Sequence, residues 1–193
     1  MTLMQRRRAL MGANGGGGRL PAEYQEVEWI SRDSYSPWLS MNFGSFGPLT
    51  MVVIVTPNGG FGEINSFVGR VAWSNQENDY RVGFSAADEV SVFYGNNVTI
   101  ISTEENANKF TVTLAINVPS TTGRFCLFRM NAGGTYTFTG KIYTVKLEKN
   151  DNTLVELVPC FRKSDGEIGM YDIISNAFIT NAGSGTFTKG GNV

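Results

Sequence analysis

From Pro21 onward apolar and polar residues alternate with a period of two, and this regularity restricts the fold more than any motif in the chain. Lys109 to Asn117, KFTVTLAIN, puts Phe110, Val112, Leu114 and Ile116 on one face and Thr111, Thr113, Ala115 and Asn117 on the other, the mark of a strand with one buried face. The same alternation recurs with Phe67, Val71 and Trp73; with Tyr80, Val82 and Phe84; with Val90, Val92 and Tyr94; and with Tyr143, Val145 and Leu147. Leu49 to Val55, LTMVVIV, is apolar on both faces and reads as a central strand.

Turn-forming residues separate these runs: Pro57-Asn58-Gly59-Gly60, Gly95-Asn96-Asn97, Ala132-Gly133-Gly134 and Asn150-Asp151-Asn152. With 17 % charged residues, 23 Gly and 13 Phe, the composition suits short strands and tight turns better than helices. The pattern predicts an all-β, two-sheet antiparallel sandwich of about a dozen strands. A closed barrel is the lesser alternative, because turns of uneven length suit Greek-key crossings better than an even meander. At 193 residues one domain with an appendage is expected, residues 1–18 forming an arm and 19–193 the sandwich.

The charge is unevenly placed. Residues 1–22 hold Arg6, Arg7, Arg8 and Arg19 and no acid, so they carry +4 of a net −1 and leave −5 for the rest. A body of that sign is a poor match for nucleic acid, which calls for a basic face. The chain has no His, which removes His-based triads, Cys-His pairs and His metal ligands. Cys126 and Cys160 both sit in strand-like apolar surroundings and are expected as two buried thiols, not as a bridge. No apolar run approaches the ~20 residues of a membrane span. After the arginines only Ala9-Leu10-Met11 precede Gly12, short of the ~7 to 15 residues of a signal-peptide core.

In the arm, Leu3, Met4, Leu10 and Met11 pair at a spacing of seven and form one stripe, with Arg6, Arg7 and Arg8 mostly off it. A helix that short is marginal in water and orders only against a partner surface or copies of itself. Gly15 to Gly18 ends it and serves as a tether. The expectation is a short helical or extended docking arm.

Gly140 to Gly190, with its core VPCFRKSDGEIGMYD followed by Phe178, Thr180, Asn181-Ala182-Gly183 and Gly185-Thr186-Phe187, resembles the closing unit of concanavalin A-like (LamG-type) jelly-roll domains. These occur in tail and receptor-binding proteins of phages and prophages of Gram-positive bacteria. LPAEYQEVEWI, Leu20 to Ile30, resembles the opening strand of the same domains, and MTLMQRRRALMG looks like the leaders that precede them. The matched parts cover roughly 70 to 75 of the 193 residues. The resemblance lapses at Ser31 to Phe46, SRDSYSPWLSMNFGSF. Independently of it, Asp165-Gly166 reads as a hairpin turn, and Phe161, Met170, Tyr171, Phe178 and Phe187 as residues closing one end of the sandwich, which gives Asp165, Glu167 and Asp172 structural roles.

The same fold houses glycoside hydrolases, and Glu26 and Glu28, two apart on one strand, stand near the carboxyl separation of a retaining pair. The three-carboxylate strand motif that such enzymes share is absent, since Tyr24 or Ile30 occupies the third position. No catalytic residue is assigned. Asn150-Asp151-Asn152 and Asn75-Gln76-Glu77-Asn78-Asp79 are oxygen-rich, as calcium requires, but polar hairpin loops have the same composition; no metal or other cofactor is expected. Sugar binding needs an aromatic face beside amides or carboxylates. WSNQENDYR supplies these with Trp73, Asn75, Asn78, Asp79, Tyr80 and Arg81, with Tyr94, Asn96 and Asn97 in the next hairpin. Trp38 is a further exposed-aromatic candidate. The opposing reading turns Trp73 and Tyr80 inward as core residues.

The resemblance implies a virion structural protein made in the host cytoplasm and exposed on the particle in many copies or as a homo-oligomer. Its arm would contact other virion proteins, and its non-catalytic sandwich a glycan of the host or its surroundings. A decoration protein without a glycan ligand is the alternative, and a glycan-cleaving enzyme a remote third.

Overall fold

A computed structural model describes residues 19–32, 37–43, 48–59, 66–71, 80–94, 97–117, 123–128 and 138–193. The docking arm, with Leu3, Met4, Arg6, Arg7, Arg8, Leu10 and Met11, lies outside the described residues. Among these the chain is all-β, in two antiparallel sheets and without a helix. The larger sheet contains β1 (Tyr24–Glu26), β2 (Ile30–Arg32), β4 (Leu49–Pro57), β8 (Val98–Asn106), β9 (Lys109–Ile116), β11 (Gly140–Lys149), β12 (Asn152–Arg162), β13 (Ile168–Asp172), β14 (Ala177–Ile179) and β15 (Phe187–Lys189). The smaller has the order β3 (Leu39–Phe43), β10 (Gly123–Leu127), β5 (Ser66–Val71), β6 (Tyr80–Ala86) and β7 (Glu89–Tyr94). The chain passes between the sheets repeatedly instead of following a meander, so the sandwich holds and the barrel does not.

β9 has the burial its sequence dictates: Phe110, Val112, Leu114 and Ile116 are buried and the residues between them half-exposed. β4 is central, hydrogen-bonded to β11 on one side and β9 on the other. Its Met51, Val53 and Val55 are fully buried, whereas Val52 and Ile54 on the opposite face stay half-exposed. The two sheets meet through phenylalanines. Phe84 of the small sheet contacts Phe110 of the large one edge-on at 5.1 Å, and Phe67 and Phe138 pack within 5.8 Å of each other beside it. Each fully buried side chain of this size contributes roughly 1.5–3 kcal/mol.

Three irregularities depart from the simple alternation. In β11 a bulge between Ile142 and Thr144 turns Tyr143 outward, while Ile142, Val145 and Leu147 face the core. In β8 a bulge leaves Ile101 59 % exposed. The stretch Leu20 to Ile30 is not one strand: β1 ends at Glu26, Val27 makes an isolated bridge to Asn192, and the chain bends at Glu28 before β2.

The closing unit forms as its turn residues require. Gly166 adopts φ +75°, Arg162 N–H donates to Glu167 C=O at 2.9 Å, and β12 and β13 pair across the turn. Asp172 is buried and accepts from the amides of Glu156 and Ile174 and from Ser175 Oγ, fixing the next turn into β14. Asn181 Oδ1 accepts from Gly183 N–H at 2.8 Å, and Asn181 Nδ2 donates to Gly185 C=O at 2.8 Å. That reversal delivers β15 to β2. Cys126 and Cys160 are buried and not bridged to each other.

The closing unit also buries residues on the sheet's outer face. Val158, Cys160 and Tyr171 point away from the main core, on the face shared with Glu26 and Tyr24, yet all three are buried. β1 extends this face, pairing with β12 through Tyr24↔Arg162 and Glu26↔Cys160. The Tyr24 ring lies 4.8 Å from that of Tyr171 and 4.9 Å from that of Phe178. Phe178 in turn sits over Gly169, where a Cβ would come within 3.0 Å of the ring and collide with the Ile179 carbonyl. Residues 190–193 close the unit from the other side: Glu28 N–H donates to Gly191 C=O, Gly190 N–H to Trp29 C=O and Val193 N–H to Glu26 C=O.

Candidate functional site

The strand registers align at one end of the sandwich the described strand ends that flank the loop segments. In the small sheet Phe43 faces Gly123, Arg124 faces Val71, Arg70 faces Tyr80, and Arg81 faces Tyr94. In the large sheet Leu49 and Val98 both face Ile116, and Glu148 faces Thr50. The described ends flanking 44–47, 72–79, 95–96 and 118–122, and the turn at Asn150-Asp151, are therefore aligned at the same end.

Trp73, Asn75, Asn78 and Asp79 lie outside the described residues, as does Asn96. Tyr94 ends β7, placed by its backbone opposite Arg81. Tyr80 is 3 % exposed and belongs to the core cluster, so its ring serves packing instead of a surface platform. Its place in the alternating run of β6 carries it inward together with Val82 and Phe84. Asn150 and Asp151 occupy the two positive-φ positions of the β11–β12 turn, with Asn152 Nδ2 donating to Asn150 C=O.

Two expectations change with the structure. Trp38 is not an exposed platform: it is 8 % exposed, its backbone N–H donates to Asn181 Oδ1, and its backbone carbonyl accepts from Ala182 N–H. The reversal at Asn181 thus packs onto it. Glu26 and Glu28 do not share a strand face, because the chain bends between them. Glu26 is held by the Arg19 guanidinium, whose other nitrogen lies 3.6 Å from Glu156. The hydrogen bond to Glu26 raises the Arg19 pKa further. Glu26 is thereby engaged in pinning Arg19, where the described chain begins, to the outer face of the large sheet. Among the described residues no three Asp, Glu, Cys or His side chains are grouped to hold a metal.

Cys160 is inert by environment. Burial, with a smaller effect from Glu26, pushes its pKa up to about 12, so almost no thiolate exists near neutrality. Asp165 binds Arg162 at 2.6 Å and accepts from Glu167 N–H, a turn contact and not a catalytic one.

A second polar and aromatic surface, not evident from the sequence, lies on the outer face of the large sheet at the end opposite those loops. β2 meets β11 at Ile30↔Ile142, β11 meets β4 at Lys141↔Thr56, and β4 meets β9 at Val55↔Phe110. With Ile30, Ile142, Val55 and Phe110 inward, their neighbours Trp29, Lys141, Tyr143, Thr56 and Lys109 come to the outer surface. Lys141 Nζ lies over the Trp29 ring at 4.5 Å and Lys109 Nζ over the Tyr143 ring at 4.2 Å. Thr56 Oγ1 donates to Asn108 C=O at 2.8 Å and lies 3.3 Å from the Tyr143 hydroxyl.

No family model matches the chain, and searches of curated proteins and of solved structures gave no significant match.

Proposed function

We propose that this chain is a phage virion structural protein whose jelly-roll sandwich, of the concanavalin A-like kind, binds a surface glycan without cleaving it, and whose N-terminal arm anchors it to the particle. The observation that carries the reading is the union of the two segments on which the resemblance rests. Leu20 to Ile30 and Gly140 to Gly190 lie more than a hundred residues apart, yet β1 lies on β12 and residues 190–193 close over 26–29. The resemblance therefore falls on one physical unit, in which each segment covers apolar surface of the other.

The arrangement also separates two tasks. The arm joins the described chain at Arg19, which is pinned to the outer face, while the strand ends flanking the WSNQENDYR loop lie at one end of the sandwich. Display of many copies offsets weak affinity at each site, because tethering raises effective concentration. Incorporation into particles is the test of anchoring: the full chain enters and a chain beginning at Arg19 does not. Equal occupancy of both would refute it. A glycan array tests the ligand, with binding lost on Trp73→Ala. Incorporation without any glycan binding would leave a decoration protein, and polysaccharide turnover lost on Glu26→Gln would be required for a hydrolase.

A further inference from the structure

We infer that the row Trp29, Lys141, Tyr143, Thr56 and Lys109 is a second glycan site, specific for an acidic saccharide bearing carboxylate or phosphodiester groups. The inference rests on the glycan-binding reading and adds to it a place and a ligand chemistry. Four neighbouring strands supply the row, and at about 4.8 Å between strands the Cα atoms of Lys141 and Lys109, two strands apart, stand roughly 10 Å from each other. Two lysines so placed, each with its ammonium over an aromatic ring and with the Thr56 hydroxyl on the strand between them, match a short stretch of charged sugar chain.

The charge pattern selects an anion. Beyond residue 22 the protein is acidic overall, and on the same sheet Lys146 is satisfied by Glu148 at 2.5 Å. Among the described residues, Lys141 and Lys109 reach no carboxylate within 4 Å and rest on aromatic rings instead. An exposed ammonium–ring contact is weak, so an anion readily draws the ammonium away and frees a ring face for the apolar side of a pyranose. Tyr143 is kept outward by the β11 bulge and by Thr56, whose hydroxyl is fixed on Asn108. Carboxylates bound the row. Glu28 is exposed beside Trp29, near Gly191, and Glu104 faces Thr111 one strand beyond β9. They limit the contacted stretch of any acidic chain to a short epitope.

The test uses the full chain with three probes: polygalacturonate, poly(glycerol phosphate) and neutral dextran, in affinity electrophoresis at low and high salt. At least one acidic polymer is retained, retention falls with salt, and Lys109→Ala with Lys141→Ala weakens it about tenfold or more. The Lys→Arg pair restores it, and the acidic polymer retained tells carboxylate from phosphodiester. The lysines are on the surface, so an unchanged melting temperature checks that the fold survives. Retention of an acidic polymer undiminished in the double-alanine variant overturns the inference. If neither acidic polymer is retained while a neutral glycan binds through Trp73, the inference fails and the glycan-binding reading stands. If no glycan of any kind binds, both fall.

Discussion

Tyr24→Ala removes the ring that roofs the outer-face cluster of the closing unit, and its effect is calculable. A tyrosine fully enclosed buries ~150–250 Å²; Tyr24 is half-buried, so about 100 Å² at ~25 cal/mol/Å² gives roughly 2.5 kcal/mol. The lost contacts with Tyr171 and Phe178 each add about 0.5–1.5 kcal/mol, and relaxation of the neighbours returns part of this. A net loss of about 3 kcal/mol corresponds to a fall in melting temperature of roughly 6–12 °C for a domain of this size.

The discriminating readout is chemical. Cys160 shares this face, opposite Glu26 and two residues along β1 from Tyr24, with its pKa at about 12, and labels when the β1 segment opens. Cys126 is buried in the small sheet, outside the closing unit, and serves as the reference thiol. Thiol labelling of the native protein, resolved by peptide mapping, should show the Cys160 rate rising up to ~100-fold on Tyr24→Ala, with a much smaller rise at Cys126. Equal acceleration of both would mean that Tyr24 contributes to global stability alone. An unchanged Cys160 rate would show that residues 19–27 do not shield this face, and the argument joining the opening and closing segments would fail.

Three further outcomes follow from local geometry. Gly169→Ala drives a methyl into the Ile179 carbonyl and toward the Phe178 ring, and should cost about 1–3 kcal/mol in chemical denaturation; a neutral result would place β14 elsewhere. Ala107 sits at φ +51° in the β8–β9 turn, where a side chain is strained, so Ala107→Gly should gain up to about 1 kcal/mol and a few degrees in melting temperature. Asp165 is held below the usual carboxylate range chiefly by its hydrogen bond from Arg162 and then by the Glu167 amide. That turn contact is therefore complete above the ordinary aspartate range near pH 4 and is lost as pH falls through the lower folded value. Exchange of the Glu167 amide should accelerate over that acid limb, and Asp165→Asn should abolish the dependence.

Regular elements were legible from side-chain period alone. β9 alternates without interruption, β4 is apolar on both faces, and Asp165-Gly166 has the backbone freedom its hairpin requires. The elements that escaped are those in which local pattern and tertiary contact disagree. β8 is irregular because Ile101 occupies a bulge, and the turn after it uses Ala107 and Asn108 instead of glycine. LPAEYQEVEWI reads as one strand because its alternation continues through Glu28, whereas Val27 and Trp29 are recruited by the chain's last residues. Trp38 is covered by a loop some 140 residues away, and the row from Trp29 to Lys109 comes together only through strand order. For the candidate site, the sequence placed Tyr80 and Tyr94 in neighbouring strands correctly, but their mutual register and the burial of Tyr80 required the sheet.

The most direct measurement is the binding of the purified full-length chain to an array of neutral and acidic bacterial glycans, with Trp73→Ala and the Lys109→Ala, Lys141→Ala pair run beside it. Salt-sensitive retention of acidic structures that the lysine pair abolishes, together with a class of glycans lost on Trp73→Ala, is the predicted result. A folded protein that retains no glycan under any of these conditions would contradict the account.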